Sequence, residues 1–591
     1  KQALTHLENG EAFGADGKLS KELRASIASE KAYGFTVPVE HNGLGLNYNQ
    51  LAVLEESLVA NGIGSLAIEL SGQLTIGAGS LLGYGDEEQK STFLPMLTQG
   101  RLTGFSLTEV GVGVNARKVQ AYVEKDEANA CWRLFAKGAG NKLFITNAVH
   151  GGVLGVAARI GKGGEKIGLF IIELPQEDKS GEYTFTCTPS NVSAFTQIDN
   201  SRLEFDNFPI PVANQIKGDG VEVLFYCLRM GRCMLTAMCG GYQKMLASDA
   251  IFYAQNRIGV GGLVIKHELP RLGLGKILGG ALTSQALAHL SLAQDAQGVD
   301  LAGLRDISKS FSATATLSSL ISAERVIGGR SFDKNSRITE ARNNIHVFGV
   351  VEGEDDLIRL SMVKDITSDF TNEYMLGLLG ILQKVNIKNG KPVAQENKIL
   401  KLSLFSLFKH PVRSTQALTY MLFSTSFYKL VFWVVSNIVT DLCGLFAKLV
   451  PLSLRSEYQD IPKELRGYVY FARKELRKSR WVYFLLSSYY QLELTHAQIP
   501  IQRFGKYIEN LMAILCLCTH ASKLGSSEQK IATFYAEVLK NETEAITILK
   551  NLSATQTLRT NLKNLLDEVA KGENTFIADI KPQQFAHDWR E

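Results

Sequence analysis

The strongest constraint on the fold is the spacing of apolar residues, which changes twice along the chain. Residues 1–102 and 216–385 carry apolar residues at helical spacing, as in Leu51–Val59. Residues 103–215 instead contain short apolar runs rich in Val, Ile, Phe and Thr, broken by Gly, Asp and Asn. This order predicts an α+β, mainly α chain: an N-terminal helical domain (1–102), a middle β barrel or sandwich (103–215) and a helical bundle (216–385).

Residues 396–591 are mostly helical in pattern and predict an extra C-terminal helical domain. Within it, Leu430–Ala447 contains a single charge, Asp441, and approaches the length that spans a bilayer. The polar residues inside this segment argue against a span, which leaves a buried helix and a membrane-surface helix as alternatives. On the second alternative, basic residues such as Lys448 and Arg455 meet anionic lipid, so peripheral membrane contact is expected through residues 430–455.

Composition narrows the class of protein. With 591 residues, 45% apolar and 21% charged, the chain is long and apolar enough for several domain cores. A net charge of only +4 argues against a nucleic-acid partner. The eight cysteines show no CxxC pair or zinc spacing, so reduced thiols and no metal site are expected. The chain begins with lysine rather than methionine, and nothing in it reads as a signal peptide.

Several separated motifs occur in a fixed order. They are GFTVPVEHNGLGL (34–46), GYGDEEQK (83–90), FSLTE (105–109), GNKLFITNA (140–148), LEFD (203–206) with Pro211, Arg257 followed by Gly261, Gly328-Gly329, and VEGEDDLIR (351–359). This series resembles the acyl-CoA dehydrogenase family over residues 20–370. Gly231-Arg232 and the C-terminal extension are similar to its long-chain and very-long-chain branch.

The resemblance implies a fold, a cofactor and a reaction. The bundle of 216–385 is expected to be the family's four-helix bundle. The activity is expected to be FAD-dependent α,β-dehydrogenation of long-chain fatty acyl-CoA, as in β-oxidation, with electron-transfer flavoprotein as acceptor. A homodimer is expected, in the bacterial cytoplasm or mitochondrial matrix, with peripheral attachment to the inner membrane as a further expectation.

The resemblance also implies site residues. Glu352 is the expected base. The expected FAD-binding residues are Leu107, Thr108, Gly113, Phe144, Thr146, Arg257, Glu268, Arg325, Gly329, Glu354 and Asp356, and the expected substrate-binding residues are Val114, Gly231, Val351 and Gly353. The chemistry fits this choice, because the α proton of a thioester is weakly acidic and needs a positioned carboxylate in a dry site. Burial beside Val350 and Val351 is expected to raise the pKa of Glu352.

Gly231 supports the choice of base. Some branched-chain members carry their glutamate at the matching position, and a glycine cannot abstract a proton. It leaves room for substrate, or it only permits close helix packing, and the two interpretations are compatible.

Several departures from the family pattern leave alternatives open. Val114 replaces a hydroxyl residue, Asn343-Asn344 replaces an Arg-Asp pair, and Glu354 replaces a threonine near the flavin. A glutamate near the pyrophosphate repels it unless Arg325 or Arg330 offsets the charge. One alternative is therefore a scaffold or assembly protein on the same fold with impaired flavin binding. Another is a biosynthetic enzyme that desaturates an acyl group on a carrier protein.

Overall fold

The computed structural model describes most of the chain in two compact units. The described residues are 2–113, 115–149, 151–293, 301–334, 336–375, 387–388, 391–392, 424–447, 455–490, 494, 496–546, 548 and 552–570. The described parts of the units are residues 2–355 and 356–570.

The first unit begins with six helices. They are α1 (Gln2–Glu8), α2 (Lys21–Ser29), α3 (Tyr48–Ala60), α4 (Gly64–Ser71), α5 (Ala78–Tyr84) and α6 (Glu87–Thr98). Helices α3 and α6 start at capping boxes, in which Asn47 pairs with Gln50 and Asp86 with Gln89. A π-helical segment, Gly72–Gly77, joins α4 to α5.

An eight-stranded sheet follows. Its strands are β1 (Thr103–Ser106), β2 (Tyr122–Asp126), β3 (Cys131–Ala136), β4 (Lys142–Thr146), β5 (Val153–Ile160), β6 (Ile167–Glu173), β7 (Thr184–Pro189) and β8 (Asn200–Pro211). The order is β1-β5-β2-β3-β8-β4, with β6 paired to β5 and β7 to β8. The inward side chains of these strands form a separate apolar core that includes Phe170, Phe185 and Phe205.

A bundle of long helices completes the first unit. Its elements are α7 (Gly220–Asn256), a short hairpin of β9 (Ile258–Gly259) and β10 (Gly262–Leu263), α8 (Glu268–Ser291), α9 (Ala302–Ile327) and α10 (Arg337–Phe348). Helices α7, α8 and α9 pack on one another, and α3 packs on α7. Among the described helices, α7 alone is long and apolar enough to cross a membrane, but most of its apolar stretch is buried in this core.

Where the structure describes the second unit, it is helical apart from a two-residue pairing of 387–388 with 391–392, β11 and β12. Its helices are α11 (Asp355–Phe370), which begins at the last residue of the first unit, α12 (Thr425–Ala447), α13 (Lys463–Tyr490), α14 (Gln498–Ala521), α15 (Ser526–Ala545) and α16 (Leu552–Ala570). A buried ion pair between Arg359 of α11 and Glu509 of α14, 3.2 Å apart, ties two of these helices together.

The predicted fold class is confirmed: helices, a curled sheet, a helical bundle and a further helical region follow in the predicted order. The domain boundaries remain predictions, because the first compact unit contains the N-terminal helices, the sheet and the bundle together. Of the two alternatives for residues 430–447, the buried helix does not fit residues 430–441, whose side chains the structure describes, since Phe432, Val435 and Val439 of α12 are exposed.

Candidate active site

The candidate base lies in a short loop between α10 and α11. Glu352 adopts a positive φ of 57°, which is uncommon for a residue with a side chain. The loop is fixed at both ends, because the Val351 N–H donates to Val347 O (3.0 Å) and the Asp355 N–H donates to Gly349 O (3.1 Å). A strained backbone that its surroundings hold in place is typical of functional sites.

The Glu352 carboxyl rests directly on Gly231 of α7. A Cβ atom at position 231 would lie 2.3 Å from Glu352 Oε1 and 2.8 Å from Oε2. No larger residue fits there while the glutamate keeps this position. Glu352 Oε2 is buried and has no hydrogen-bond partner among the described residues. The predicted link between Gly231 and the base is therefore a direct contact in the structure.

Two buried cations hold the loop through its carbonyl oxygens. Arg232 of α7 donates to Glu352 O from Nε (3.1 Å) and Nη2 (3.0 Å), while its Nη1 binds Asp306. Lys309 of α9 donates to Gly353 O (2.7 Å) and to Asp355 Oδ1 (2.9 Å). Because each cation also has its own carboxylate, neither binds the Glu352 carboxyl directly in these contacts.

Burial governs the ionisation of Glu352. Desolvation raises the pKa of its carboxyl to about 8, and the nearby charges of Arg232 and Lys309 oppose the rise. The expectation that Val350 helps to enclose the carboxyl is wrong, because Val350 is exposed. Val351 is partly buried against the core of the first unit. On one side, α7 lies directly against the carboxyl at Gly231.

The predicted flavin residues of the β domain form a second group. The Leu143 N–H donates to Thr108 O (2.9 Å), so the segment of Leu107 and Thr108 lies beside β4. A register shift in β4 between Lys142 and Ile145 accompanies a positive φ of 57° at Phe144. Phe144 is 55% exposed, which leaves its ring available to a flat ligand.

Buried polar atoms beside this group lack partners. The Thr146 hydroxyl donates to Asn200 Oδ1 (2.8 Å), but Asn200 Nδ2 and Ser106 Oγ are buried without a hydrogen-bond partner among the described residues. Buried polar groups are nearly always paired, so such atoms beside an exposed aromatic ring fit a polar ring system bound there.

A third group lies at one end of the bundle. Gly273, near the start of α8, packs against Ser322 and Val326, near the end of α9. Arg257, Glu268, Arg325 and Gly329 are all exposed at the ends of these helices. Arg330 is exposed as well, so the residues considered for the cofactor at this end are three arginines and one glutamate. Their net positive charge favours binding of an anionic group.

The remaining predicted site residues do not join any of these three groups. Gly113 is exposed and Glu354 is half-buried. Asp356 belongs to the second unit, where it binds Arg359 (2.7 Å) and Gln502 (3.0 Å). Val114 lies outside the described residues. Among those described, no group of three His, Cys, Asp or Glu side chains is arranged as metal ligands.

Sequence reasoning missed the buried charges that support the site. Lys142 of β4 binds Glu109 (2.9 Å) and Ala157 O (2.7 Å) with both side chains of the ion pair fully buried, and so joins the two β-domain motifs. The sequence does contain a signal for two of these charges. Asp306 and Lys309 lie three residues apart in a run of small residues, and charged side chains on a buried helix face need partners.

Comparisons with known proteins identify the family. The N-terminal domain of acyl-CoA dehydrogenases matches residues 5–101 and their C-terminal domain matches residues 218–367. Residues 5–101 and 218–367 are therefore similar to the two acyl-CoA dehydrogenase domains, and the predicted resemblance to that family and its very-long-chain branch is confirmed.

The similarity to individual curated proteins is low. The chain is 26% identical over 359 residues to the mitochondrial very-long-chain specific acyl-CoA dehydrogenase of Rattus norvegicus, covering 58% of this chain and 52% of that protein. It is 24% identical to an acyl-CoA dehydrogenase of Bacillus subtilis (strain 168), covering 58% and 89%. The chain thus spans about half the length of the very-long-chain relatives that it matches.

Solved structures agree on the fold. An acyl-CoA dehydrogenase from Bacillus anthracis, complexed with FAD, aligns over 95% of this chain and 87% of its own, with a TM-score of 0.66 and 18% identity. Butyryl-CoA dehydrogenase from Megasphaera elsdenii aligns over 62% and 94%, with a TM-score of 0.55 and 20% identity. At these identities the likeness shows the fold alone.

Proposed function

We propose that this chain is an FAD-dependent dehydrogenase of long-chain fatty acyl-CoA thioesters, acting in fatty acid β-oxidation. The observation that carries the proposal is the environment of Glu352: a strained residue whose carboxyl is enclosed against Gly231, with a raised pKa and an Oε2 that no described residue hydrogen-bonds. A carboxylate that is dry and unpaired is a strong base for a weakly acidic carbon.

The residues around Glu352 have distinct roles in this reaction. Glu352 takes the α proton of the thioester, and its own N–H, for which no acceptor is found among the described residues, is available to the thioester oxygen. Arg232 and Lys309 hold the carbonyls of Glu352 and Gly353, the two that follow this N–H in the chain, which keeps the base and the donor in a fixed relation. The acyl group loses one proton to Glu352 and one hydride from its β carbon, and a Cα=Cβ double bond forms.

The residues present fit an FAD. Phe144 and the segment of Thr108 and Thr146 would hold the flavin ring, and Arg257, Arg325 and Arg330 suit its pyrophosphate. When bound, the flavin supplies the acceptor for the β hydride. The resemblance to the family supports electron-transfer flavoprotein as the acceptor that reoxidises it.

The test is the visible spectrum of the FAD-loaded protein before and after anaerobic addition of acyl-CoA. Bleaching that is strongest with long chains supports the proposal, and the same acyl groups on carrier protein test the biosynthetic alternative. Glu352→Gln should keep the flavin but not bleach. Glu340→Gln is the matched control, because burial also raises the pKa of Glu340, to about 7, yet Glu340 does not contact Gly231. A colourless protein that takes up no FAD would contradict the proposal and favour the scaffold alternative.

A homodimer is proposed from the apolar surface at the end of the bundle that carries Arg257. Its side chains Phe252, Ile258, Val260 and Leu269 are exposed, Val260 by 94%. Exposed apolar surface of this extent is typical of an interface. A partner subunit placed there would bring Arg257 toward a second cofactor site.

Peripheral membrane contact is proposed for α12. Trp433 packs on Phe370 and Phe484 with ring centroids 4.8 and 5.8 Å apart, while Phe432 and Val435 are exposed. Basic residues of α13 accompany this face, and Arg480 binds Asp441 of α12 (2.5 Å). An apolar face with flanking cations suits an anionic lipid surface, such as that of an inner membrane facing a bacterial cytoplasm or mitochondrial matrix.

A further inference from the structure

A cluster of hydrogen-bond donors lies in the second unit where α13 ends. Tyr490, the last residue of α13, is only 4% exposed, and its hydroxyl is buried without a hydrogen-bond partner among the described residues. The guanidinium group of Arg559 of α16 lies over the Tyr490 ring, 5.3 Å from its centroid. Buried hydroxyl groups are nearly always paired, so this one needs an explanation.

A second arginine joins the cluster through α16. Arg503 of α14 donates from Nη1 to Thr555 Oγ1 (2.9 Å), and Arg559 follows Thr555 by one turn on the same face of α16. Arg559 itself donates to Gln556 Oε1 (3.0 Å) and to the backbone oxygen of His496 (3.3 Å). Within the described part of the chain, both arginines therefore bind neutral oxygen atoms.

Two acidic groups on and beside α14 are bound to other cations. Glu509 binds Arg359 (3.2 Å) and Lys506 (2.8 Å). Asp356 binds Arg359 (2.7 Å) and accepts from Gln502 (3.0 Å). Among the described residues, no carboxylate offsets the two positive charges of the cluster.

The cluster contains donors without a matching acceptor. Arginine side chains donate hydrogen bonds and cannot accept them, so neither Arg503 nor Arg559 can take the hydrogen of the Tyr490 hydroxyl. Burial raises the pKa of this hydroxyl although the charges of Arg559 and Arg503 oppose the rise, so the group keeps its proton at neutral pH. Thr555 lies in the first turn of α16, at the positive end of the helix dipole.

We propose that Tyr490, Arg503 and Arg559 form a binding site for a phosphate group, either free or carried on a lipid headgroup. Two guanidinium groups match the charge of about −1.5 to −2 that a phosphate monoester carries at neutral pH. The planar fork of arginine suits phosphate oxygens, and a phosphate oxygen supplies the acceptor that the Tyr490 hydroxyl lacks. The site lies in the second unit and does not depend on the proposed reaction.

Tyr490→Phe tests the unpaired hydroxyl without any ligand. In phosphate-free buffer, this variant should keep the Tm of the parent or raise it, because it removes a buried donor that has no acceptor. Tyr507→Phe is the matched control: the Tyr507 hydroxyl donates to Glu475 Oε2 (3.0 Å), so its removal should lower Tm. If Tyr490→Phe lowered Tm as much as Tyr507→Phe, the hydroxyl would have a partner within the protein, and the proposal would be overturned.

Isothermal titration calorimetry with inorganic phosphate tests the site directly, with sodium chloride at matched ionic strength as the blank. Tyr490→Phe, Arg503→Gln and Arg559→Gln should each bind phosphate weaker than the parent by roughly tenfold or more, because each loses a hydrogen bond to a charged group. Arg466→Gln removes the same charge at the other end of α13, where Arg466 donates to Ile461 O (2.7 Å), and should bind like the parent. No saturable binding by the parent, or equal weakening in Arg466→Gln, would overturn the proposal.

Vesicles distinguish a lipid headgroup from free phosphate. Phosphatidic acid carries a phosphate monoester and phosphatidylglycerol a diester, so the two are compared in phosphatidylcholine vesicles of equal surface charge. Stronger co-sedimentation with phosphatidic acid, lost in Tyr490→Phe, would assign the site to a headgroup. Equal co-sedimentation with both lipids, together with saturable binding of inorganic phosphate, would assign it to free phosphate.

Discussion

At the scale of single residues, two buried cations bind the loop that contains Glu352 and Gly353. Arg232 of α7 binds the carbonyl oxygen of Glu352, and Lys309 of α9 binds that of its neighbour Gly353. Glu352 combines a raised pKa with a buried oxygen that has no hydrogen-bond partner among the described residues, and its carboxyl lies against Gly231. In the proposed reaction, proton abstraction is therefore assigned to this one carboxyl.

The first prediction concerns pH. Since the pKa of Glu352 is about 8, the rate of flavin bleaching by acyl-CoA should rise with pH through that value, as the carboxylate form accumulates. Stability should change in the opposite sense. A raised pKa in the folded protein means that the native state binds the extra proton, so stability falls as the pH rises from 4.5 to about 8.

Glu352→Gln does not titrate, so its Tm relative to the parent should be higher at pH 8 than at pH 5. A Tm difference that is the same at both pH values would show that the Glu352 pKa is not raised in the folded protein.

The second prediction concerns Lys309, whose side chain is almost fully buried beside Asp355. Lys309→Met leaves the Asp355 carboxylate without its main cation and should cost about 3–5 kcal/mol of unfolding free energy in urea titrations. Lys244→Met is the control: this lysine pairs with Glu56 but is substantially exposed, so the loss should stay below about 1 kcal/mol. Equal losses in the two variants would contradict the role of burial.

At the scale of elements, α7 combines two demands in adjacent residues. Gly231 has no side chain and so leaves space for the Glu352 carboxyl, and Arg232 donates a hydrogen bond to the backbone carbonyl of Glu352. A glycine inside a helix costs about 0.5–1 kcal/mol relative to alanine, so its presence needs a steric reason. The reason here is the Glu352 carboxyl.

The third prediction follows from this geometry. Gly231→Ala should preserve the helix but displace Glu352, because the new Cβ would lie 2.3 Å from Oε1. Substrate-dependent bleaching should fall by at least tenfold while the flavin content is retained. Gly467→Ala in α13, where nothing lies within 4 Å of the new atom, should slightly raise Tm and leave bleaching unchanged. Normal bleaching in Gly231→Ala would show that the contact with Glu352 is not required.

The sequence predicted the order of helices and strands better than it predicted the side-chain contacts between them. Apolar periodicity and motif order were enough for the succession of helix, sheet and helix, because these features are local, whereas the roles of Glu352 and Gly231 stay predictions. The contacts of Lys142 and Lys309 were not predictable, because each of these side chains finds its partner outside its own element. The exposure of α12 was also undecided, since an apolar run suits a core and a membrane surface equally well.

The fourth prediction concerns α12. If its exposed face binds lipid, Phe432→Glu should reduce co-sedimentation with vesicles that contain anionic lipid several-fold, because the charge would enter the acyl boundary. Phe432 is 75% exposed, so the folded state should keep its Tm. Val53→Glu, at an exposed position of α3, should leave vesicle binding unchanged. Equal binding by all three proteins would refute membrane contact through this helix.

At the scale of the whole molecule, the predicted cofactor residues come from two parts of the first unit, the β sheet and the helical bundle. The β-domain group includes Phe144, whereas Arg257 and Arg325 are exposed at the end of the bundle next to apolar side chains. A homodimer would explain this division, since one subunit's bundle end would then complete the site of the other. Assembly and cofactor binding should therefore be linked.

The fifth prediction tests this link. Val260→Asp places a charge at the most exposed apolar position of the hairpin segment and should shift the protein from dimer to monomer in analytical ultracentrifugation. FAD content should fall with it, because Arg257 of each subunit would no longer reach a neighbouring cofactor. Val39→Asp, also at a strongly exposed apolar position, should change neither property. A Val260→Asp monomer that retains full FAD would show that each subunit binds its cofactor alone, and Arg257 would then need another role.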